Sequence, residues 1–285
     1  MDRVLYLPRS WTGAAQRLAA AGVPAQVGFA TKPALAAKMI AQAVSVGTPA
    51  RWVAGDEVYG ADSKLRHDLH VLGLGYVLAV AKNHQIVTGI GARRAIDLAV
   101  RLPATAWHWI SAGRGAKGER WYDWALIETT DPAAGTSGHH WLLLRLNRKT
   151  GEYAFYRAYS PTPVPLKTLV TVAGRRWTVE ESFAAGKELA ALDEHQVRTW
   201  TSWRRWTALA ILTHVILSVM AANEPPPPPG SRLIPLTRNE IRHLLAEILK
   251  PTHDPVHILN WSHWRRTHQA TAQKCHFKRQ ATNEK

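Results

Sequence analysis

Residues 50–80 read ARWVAGDEVYGADSKLRHDLHVLGLGYVLAV, and this stretch decides the fold class. Its opening residues form a short apolar strand that ends at Asp56, and its last five, Tyr76–Val80, form a continuous apolar strand of the kind buried on both faces. Between the two strands, Asp62–Leu72 has its leucines at helical spacing, and Gly73 supplies the stop signal. A strand, a helix and a second strand at this spacing predict a parallel α/β sheet with right-handed crossovers.

Regular patterns continue on either side of this stretch. Thr31–Val46 carries apolar residues at helical spacing and stops at Gly47. After Lys82 the segments become short and rich in aromatic and β-branched residues, with turns between them, which predicts an antiparallel β region. Helical patterning returns at Leu166 and runs, with breaks, to Ala222. The predicted strands of the β region are Trp107–Ser111, Arg120–Glu128, His140–Leu146 and Tyr153–Tyr159.

Five consecutive prolines, Pro225–Pro229, mark the clearest boundary in the chain, because such a run forms a stiff polyproline II spacer. Beyond it, Thr237 and Glu240 form a capping box at the start of a short amphipathic helix. We therefore expect four parts, which span residues 1–84, 85–165, 166–223 and 224–285.

The chain is strongly basic. Lysine and arginine total 36 against 21 acidic residues, which gives a formal net charge of +15. The expected partner is therefore a polyanion, and DNA or RNA fits best. An anionic membrane surface would require a dominant basic amphipathic helix, and the sequence has none.

Two features bear on the compartment. Cys275 is the single cysteine, so an internal disulfide is excluded and a reducing compartment is expected. The most apolar run, Trp206–Ala222, is at the short limit for a membrane span and carries His214 in its middle. We interpret this run as a buried core helix and predict a cytoplasmic protein that does not associate with membranes.

Two carboxylates stand out by their position. Asp56 follows a predicted buried strand, where α/β folds place ligands and metals. Glu180 lies on a predicted helix, four residues after Arg176 and seven before Lys187, so the three side chains share one face. A carboxylate between two cations suits a site that holds a divalent metal and a phosphate. An ordinary i, i+4 salt bridge on a solvated face gives the same pattern and is more common.

The sequence resembles bacterial insertion-sequence transposases of the DDE, RNase H-like superfamily. Arg176, Glu180 and Lys187 are spaced as in the YREK signature of those proteins, although Ala173 stands where the signature has tyrosine. The segment AGDEVYGADSKLRHDLHVLGLGYVLAV is similar to the family's stretch around its second catalytic aspartate. Two later segments are similar to the family's carboxyl-terminal end, namely LIPLTRNEIRHLL and WSHWRRTHQATAQKCHFKR.

The resemblance implies an α/β fold with a partial RNase H-like catalytic core, an antiparallel β insertion and a helical basic C-terminal tail. It also implies two-metal phosphoryl transfer with two Mg²⁺ or Mn²⁺ ions, in which Asp56 and Glu180 are the second and third catalytic carboxylates and metal ligands. Arg176 and Lys187 would hold DNA phosphates beside the metals. The implied partners are transposon terminal inverted repeats, target DNA and a second copy of the chain, in a bacterial, nucleoid-associated setting.

The first catalytic carboxylate of the family has no counterpart that the sequence identifies. Asp2 is the only acidic residue before Asp56, and it does not follow a buried strand. We therefore expect a chain truncated at its amino end and catalytically incomplete. The alternatives are a non-catalytic DNA-binding or oligomerising transposase remnant and a basic RNA-binding protein unrelated to transposition.

Several weaker signals concern binding. The stretch Trp261–Arg279 is interpreted as a basic, partly helical DNA contact, and a merely solvated tail is an almost equal alternative. Gly113–Gly118 is expected to be a hairpin loop rather than a phosphate cradle. Most tryptophans of the β region are expected in the core, although base stacking would also suit them. The cations assigned to DNA phosphates in the tail are Arg265, Arg266, Lys274, Lys278 and Arg279.

Overall fold

The computed structural model describes residues 3–89, 91–115, 118–196, 198–227, 229 and 235–249, and beyond these 256–257, 259–261, 263–264, 267–268, 271–272 and 275. Within these residues the chain forms helices and strands in an order that begins helical, becomes strand-rich and ends helical. It divides into two units, Met1–His214 and Val215–Lys285. The four-part division of the sequence remains a prediction.

The helices and strands have the following bounds. The helices are α1 Arg9–Thr12, α2 Ala15–Ala20, α3 Lys32–Ser45, α4 Glu57–Gly60, α5 Ser63–Val71, α6 Ala95–Ala99, α7 Leu166–Arg175, α8 Trp177–Ala190, α9 Trp200–Asn223 and α10 Arg238–Ile248. The strands are β1 Trp52–Gly55, β2 Gly75–Val80, β3 Gln85–Thr88, β4 Gly91–Arg94, β5 His108–Gly115, β6 Gly118–Asp131, β7 Gly135–Leu146 and β8 Tyr153–Ser160. A single 3₁₀ turn covers Ala104–Ala106 among the described residues.

One sheet of eight strands runs through the first unit. Its order is β1-β2-β8-β7-β6-β3-β4, and β5 pairs with β6 beside this path. β1 and β2 are parallel, as the sequence predicted, and the strands of the β region are antiparallel. β8 pairs directly with β2, so the predicted insertion continues the sheet of the predicted core. The result is a mixed α/β fold that is compatible with an RNase H-like core.

Helices cover both faces of this sheet. On one face α7 buries Leu169 and Val170 against Leu143 of β7 and Trp124 of β6. On the other face α6 packs against Leu142 and Leu144, which alternate with Leu143 along β7. α3 and α5 pack on that second face, around Leu78 of β2. β2 is therefore buried on both faces, as its continuous apolar run predicted.

A buried polar network joins helix α5 to the sheet. Asp131 accepts a 2.6 Å hydrogen bond from Arg66 Nε and lies 3.2 Å from Arg157 Nη1. Arg157 Nε in turn donates to His84 Nε2 at 2.9 Å. Burial and the Arg157 guanidinium lower the pKa of His84 to about 4, and the arginines hold the pKa of Asp131 below its usual value in spite of burial. The network pins α5, β6 and β8 together.

Helix α9 contains the apolar run for which we predicted burial, and that part of the prediction is wrong. Its side chains Leu209, Leu212 and Val219 are all more than half exposed. Among the described residues, α9 is the one helix long and apolar enough to cross a bilayer, on length and composition alone, and 22% of its most apolar window is buried. The sequence pattern predicted the helix, but it contained no information on whether another element packs against that helix.

The amino-terminal segment lies against the start of α9. Arg3 Nε donates a 2.8 Å hydrogen bond to Thr207 Oγ1, and Trp200 N donates a 2.8 Å bond to Ala21 O. Trp200 and Trp203 line a cleft of about 560 Å³ together with this segment. The sequence left open whether these tryptophans contact the core or a second subunit, and within this structure they contact their own chain.

The tryptophans of the β region divide in two. Trp124 is fully buried, and Trp107 packs against the apolar residues around Leu142 and Leu144 on the second face of the sheet, as predicted. Trp109 and Trp121 are nearly half exposed and stack on each other at 5.9 Å. The glycine-rich stretch closes the β5–β6 hairpin, as predicted, with Gly115 paired to Gly118.

Candidate active site

Asp56 lies at the carboxyl end of the parallel strand β1, where the sequence placed it. Its Oδ1 accepts a 3.0 Å hydrogen bond from the backbone N–H of Val58, so Asp56 is the N-cap of α4. The side chain is exposed, and no described hydrogen bond uses its second oxygen. Asp56 therefore presents one carboxylate oxygen to an incoming ligand while the other fixes its orientation.

Close packing fixes the backbone that carries Asp56. Gly60 at the end of α4 lies so near β2 that a Cβ there would come within 1.9 Å of Ala79 O. Gly55 is buried against Leu78. Burial raises the pKa of Tyr59, which follows on α4, and the negative charge of Asp56 adds to this effect. The strand-to-helix junction is thus a rigid support for the carboxylate.

Glu180 lies in the first turn of α8 and pairs with Arg176. Arg176 Nη1 is 2.8 Å from Glu180 Oε1, so the predicted i, i+4 contact is present. The Glu180 side chain is 41% exposed, but its Oε2 atom is shielded from solvent and has no hydrogen-bond partner among the described residues. Glu180 therefore offers the kind of ligand atom that a divalent metal uses.

The structure joins only some of the predicted site residues. Arg176 and Glu180 are in contact, and Lys187 is exposed seven residues farther along the same helix. No described hydrogen bond or ion pair links Asp56 to Glu180. Within the described ranges, no group of three or more histidine, cysteine or acidic side chains is arranged to hold a metal ion. The assignment of Asp56 and Glu180 to one site remains a prediction.

The tail assignments lie outside the described residues. Arg265, Arg266, Lys278 and Arg279 all fall there, as does Lys274. Of the neighbouring stretch, Trp261 and Trp264 are described, and their rings stack at 4.9 Å.

Two cations on α7 are further candidate binding residues that the sequence motifs did not identify. Lys167 and Arg175 are exposed on the side of this helix opposite its buried residues Leu169, Val170 and Ala173. Their spacing of eight residues places both on one face, and this amphipathic pattern is visible in the sequence. Such a pattern is typical of any amphipathic helix and does not by itself indicate a binding surface.

Residues 1–90 match the family model described as DDE superfamily endonuclease. The matched stretch contains Asp56 and ends well before Glu180. The match supports a DDE transposase-like family and, with it, nuclease chemistry on DNA. No curated protein matches the chain.

Proposed function

We propose that this chain is a DDE-type transposase by family, whose reaction is the cleavage and joining of DNA by metal-dependent phosphoryl transfer. Asp56 and Glu180 are its second and third metal-binding carboxylates, and the sequence identifies no first one, so we expect weak activity. One observation carries the proposal. The endonuclease family match covers the strand-to-helix junction that presents the exposed carboxylate of Asp56 at the carboxyl end of a parallel strand.

The available ligand atoms suit Mg²⁺ or Mn²⁺. Both ions prefer oxygen ligands, and the proposed site would use the second oxygen of Asp56 and Oε2 of Glu180, neither of which has a partner among the described residues. When bound, two such ions activate the attacking oxygen and stabilise the leaving oxygen of a phosphodiester. Asp56 and Glu180 would hold these ions through fixed carboxylates, because α4 and α8 support them.

Arg176 and Lys187 would position the DNA. The Arg176 guanidinium orients Glu180 through one nitrogen and has four further N–H donors with which to bind a phosphate oxygen. Lys187 is exposed on the same helix and would contact the next part of the backbone. The proposed partners are transposon inverted repeats and target DNA, with a possible second copy of the chain, in the cytoplasm and at the nucleoid.

The test is nicking of supercoiled plasmid DNA in Mg²⁺ or Mn²⁺. Glu180→Gln and Asp56→Asn keep the size of each side chain and remove its charge, and asparagine caps a helix as well as aspartate does. We expect each substitution to reduce the nicking rate at least 100-fold. Glu181→Gln and Glu57→Gln are matched controls, since each removes an exposed neighbouring carboxylate, and they should retain activity. Equal rates in all four variants would overturn the proposal.

A non-catalytic DNA-binding protein is the second candidate. It is favoured by the absence, within the described residues, of a third acidic side chain grouped with Asp56 or Glu180. This candidate predicts that the wild-type chain binds DNA, does not nick it with either metal, and retains DNA equally well after Glu180→Gln. The nicking and binding assays together therefore separate the two functions.

A further inference from the structure

The outer face of α7 carries a ridge of exposed cations. Lys167, Thr171 and Arg175 follow one another at four-residue intervals and are all exposed. Arg51 lines a cleft of about 510 Å³ on one side of the helix, and Arg114 lines a cleft of about 430 Å³ on the other side. We call these five residues the basic ridge.

The cations of the basic ridge are available to a ligand. In the part of the chain that the structure describes, none of Arg51, Arg114, Lys167 and Arg175 forms an ion pair. One acid, Glu119, lines the second cleft and accepts a hydrogen bond from Ser111. The four positive charges of the ridge outweigh this one carboxylate, so the surface attracts an anionic polymer.

The ridge is also preformed. α7 approaches β5 so closely that a Cβ at Gly174 would come within 1.9 Å of Ala112 O. One nitrogen of Arg120 donates to both Ala112 O, at 3.2 Å, and Gly174 O, at 3.0 Å, and thereby fastens the helix to the hairpin. Little conformational entropy is then lost from the backbone when a ligand binds.

We propose that the basic ridge binds the phosphate backbone of double-stranded DNA. This inference rests on the proposed function, to which it adds a binding surface distinct from Arg176, Lys187 and the tail. Lys167 and Arg175 are eight residues apart, or about 12 Å along the helix, which equals the axial length of three to four base pairs at about 3.4 Å each. The second cleft reaches Thr178 on α8, so DNA on the ridge leads toward the helix that carries Glu180.

The geometry favours DNA over an added peptide strand. β1 lies at the edge of the sheet and pairs only with β2 among the described strands, so a peptide strand could pair there. Such a strand would use Arg51 and the first cleft but would leave Arg114 and the second cleft unoccupied. A phosphate backbone uses the cations on both sides of α7, and its contacts read no sequence.

The test is fluorescence anisotropy with a labelled 30-base-pair duplex of arbitrary sequence and the full chain. The variant Lys167→Gln/Arg175→Gln removes two charges from the ridge. Its control, Lys38→Gln/Arg101→Gln, removes one lysine and one arginine that are exposed on α3 and just after α6, on the opposite face of the sheet. Both double variants lower the net charge from +15 to +13. Thermal unfolding of each protein establishes that it is folded.

We expect the ridge variant to bind at least tenfold more weakly near 0.1 M salt, with a log–log salt slope shallower by about 1.8, because each lost phosphate contact removes about 0.9. The control should change both quantities much less. Thr171→Glu, which places a negative charge between the two cations, should weaken binding in the same way.

Equal weakening in the ridge and control variants would overturn the inference, because it would show a response to net charge alone. Unchanged DNA binding after loss of Lys167 and Arg175 would also overturn it, and would leave a peptide strand as the occupant. Nicking that depends on Glu180 but not on the ridge would contradict this inference and leave the proposed function intact. Ridge-dependent binding without nicking would contradict the function instead.

Discussion

At the scale of single residues, the buried network around Asp131 is the feature with the largest predicted effect on stability. The Asp131 carboxylate is 4% exposed and separates two arginines that are nearly as buried, Arg66 and Arg157. Removing one charge from a buried ion pair leaves the others uncompensated, which costs about 3–5 kcal/mol. The sequence contained no sign of this network, because Asp131 is 65 residues from Arg66 and 26 residues from Arg157 along the chain.

We expect Asp131→Asn to lower the free energy of unfolding by about 3–5 kcal/mol in urea denaturation at neutral pH. Asp97→Asn is the matched control, since Asp97 pairs with Arg94 on the surface, where solvent screens the interaction. The control should be nearly as stable as the wild type. A loss of stability as small as that of the control would mean that Asp131 does not hold the two arginines.

His84 predicts a pH dependence of stability. Its folded-state pKa of about 4 lies below the usual value of about 6.5, so the folded protein favours the neutral ring. The contribution of the neutral His84 ring to the free energy of unfolding is complete above about pH 6.5 and is lost as the pH falls toward 4. His140, whose pKa burial also lowers, contributes in the same direction.

We expect the urea midpoint of the wild type to fall between pH 6.5 and pH 4.5. His84→Gln, which keeps an acceptor for Arg157, should reduce this fall, and His140 and Asp131 contribute to what remains. Identical pH profiles for the variant and the wild type would show that His84 does not titrate with folding.

At the scale of elements, the hydrophobic pattern of the sequence predicted the helices and strands that depend on nearby residues. The helix–strand–helix–strand order of the first eighty residues and the antiparallel pairs of the β region are present. The β3–β4 hairpin was missed, since its strands have four residues each and β4 is exposed throughout. The burial of α9 was predicted wrongly, because hydrophobicity alone does not identify the element that packs against a helix.

The junction of α7 with β5 gives a prediction at this scale. Alanine normally stabilises a helix interior by about 1 kcal/mol relative to glycine. At Gly174 the added Cβ would collide with backbone at Ala112, so we expect Gly174→Ala to destabilise the protein by about 3 kcal/mol or more. DNA affinity should fall as well, because the basic ridge would move off the hairpin.

Gly186→Ala in α8 is the matched control. The nearest atom to its added Cβ is a flexible side-chain carbon of Leu192 at 3.3 Å, which can give way. Thermal unfolding should therefore show little change for this variant and a large decrease for Gly174→Ala. Similar melting temperatures for the two variants would contradict the close approach of α7 to β5.

At the scale of the whole molecule, charge dominates the expected behaviour. A net charge of +15 predicts that DNA affinity falls steeply as salt rises, because bound cations release counterions from the phosphates. Fluorescence anisotropy between 50 and 200 mM salt should show a loss of affinity of roughly a thousandfold or more if six or more phosphates are contacted. An affinity that hardly responds to salt would contradict every DNA-binding function considered for this chain.

Composition could predict the class of partner, and motif order could predict Asp56 and Glu180 as candidates. Neither could predict how the two carboxylates lie relative to each other, because they are 124 positions apart along the chain and most of the sheet is formed by the residues between them. The family match adds support around Asp56 but stops at residue 90. Whether both residues serve one site is therefore the central claim to test.

The most direct measurement is a double-mutant cycle on the Mn²⁺-dependent nicking rate, with Asp56→Asn, Glu180→Gln and the two combined. When two residues act as one catalytic unit, the effects of substituting them on the rate are strongly non-additive. If Asp56 and Glu180 hold the same metal ions, the double variant should be about as slow as either single variant. Rate losses that multiply, or a loss confined to one of the two residues, would contradict a shared site.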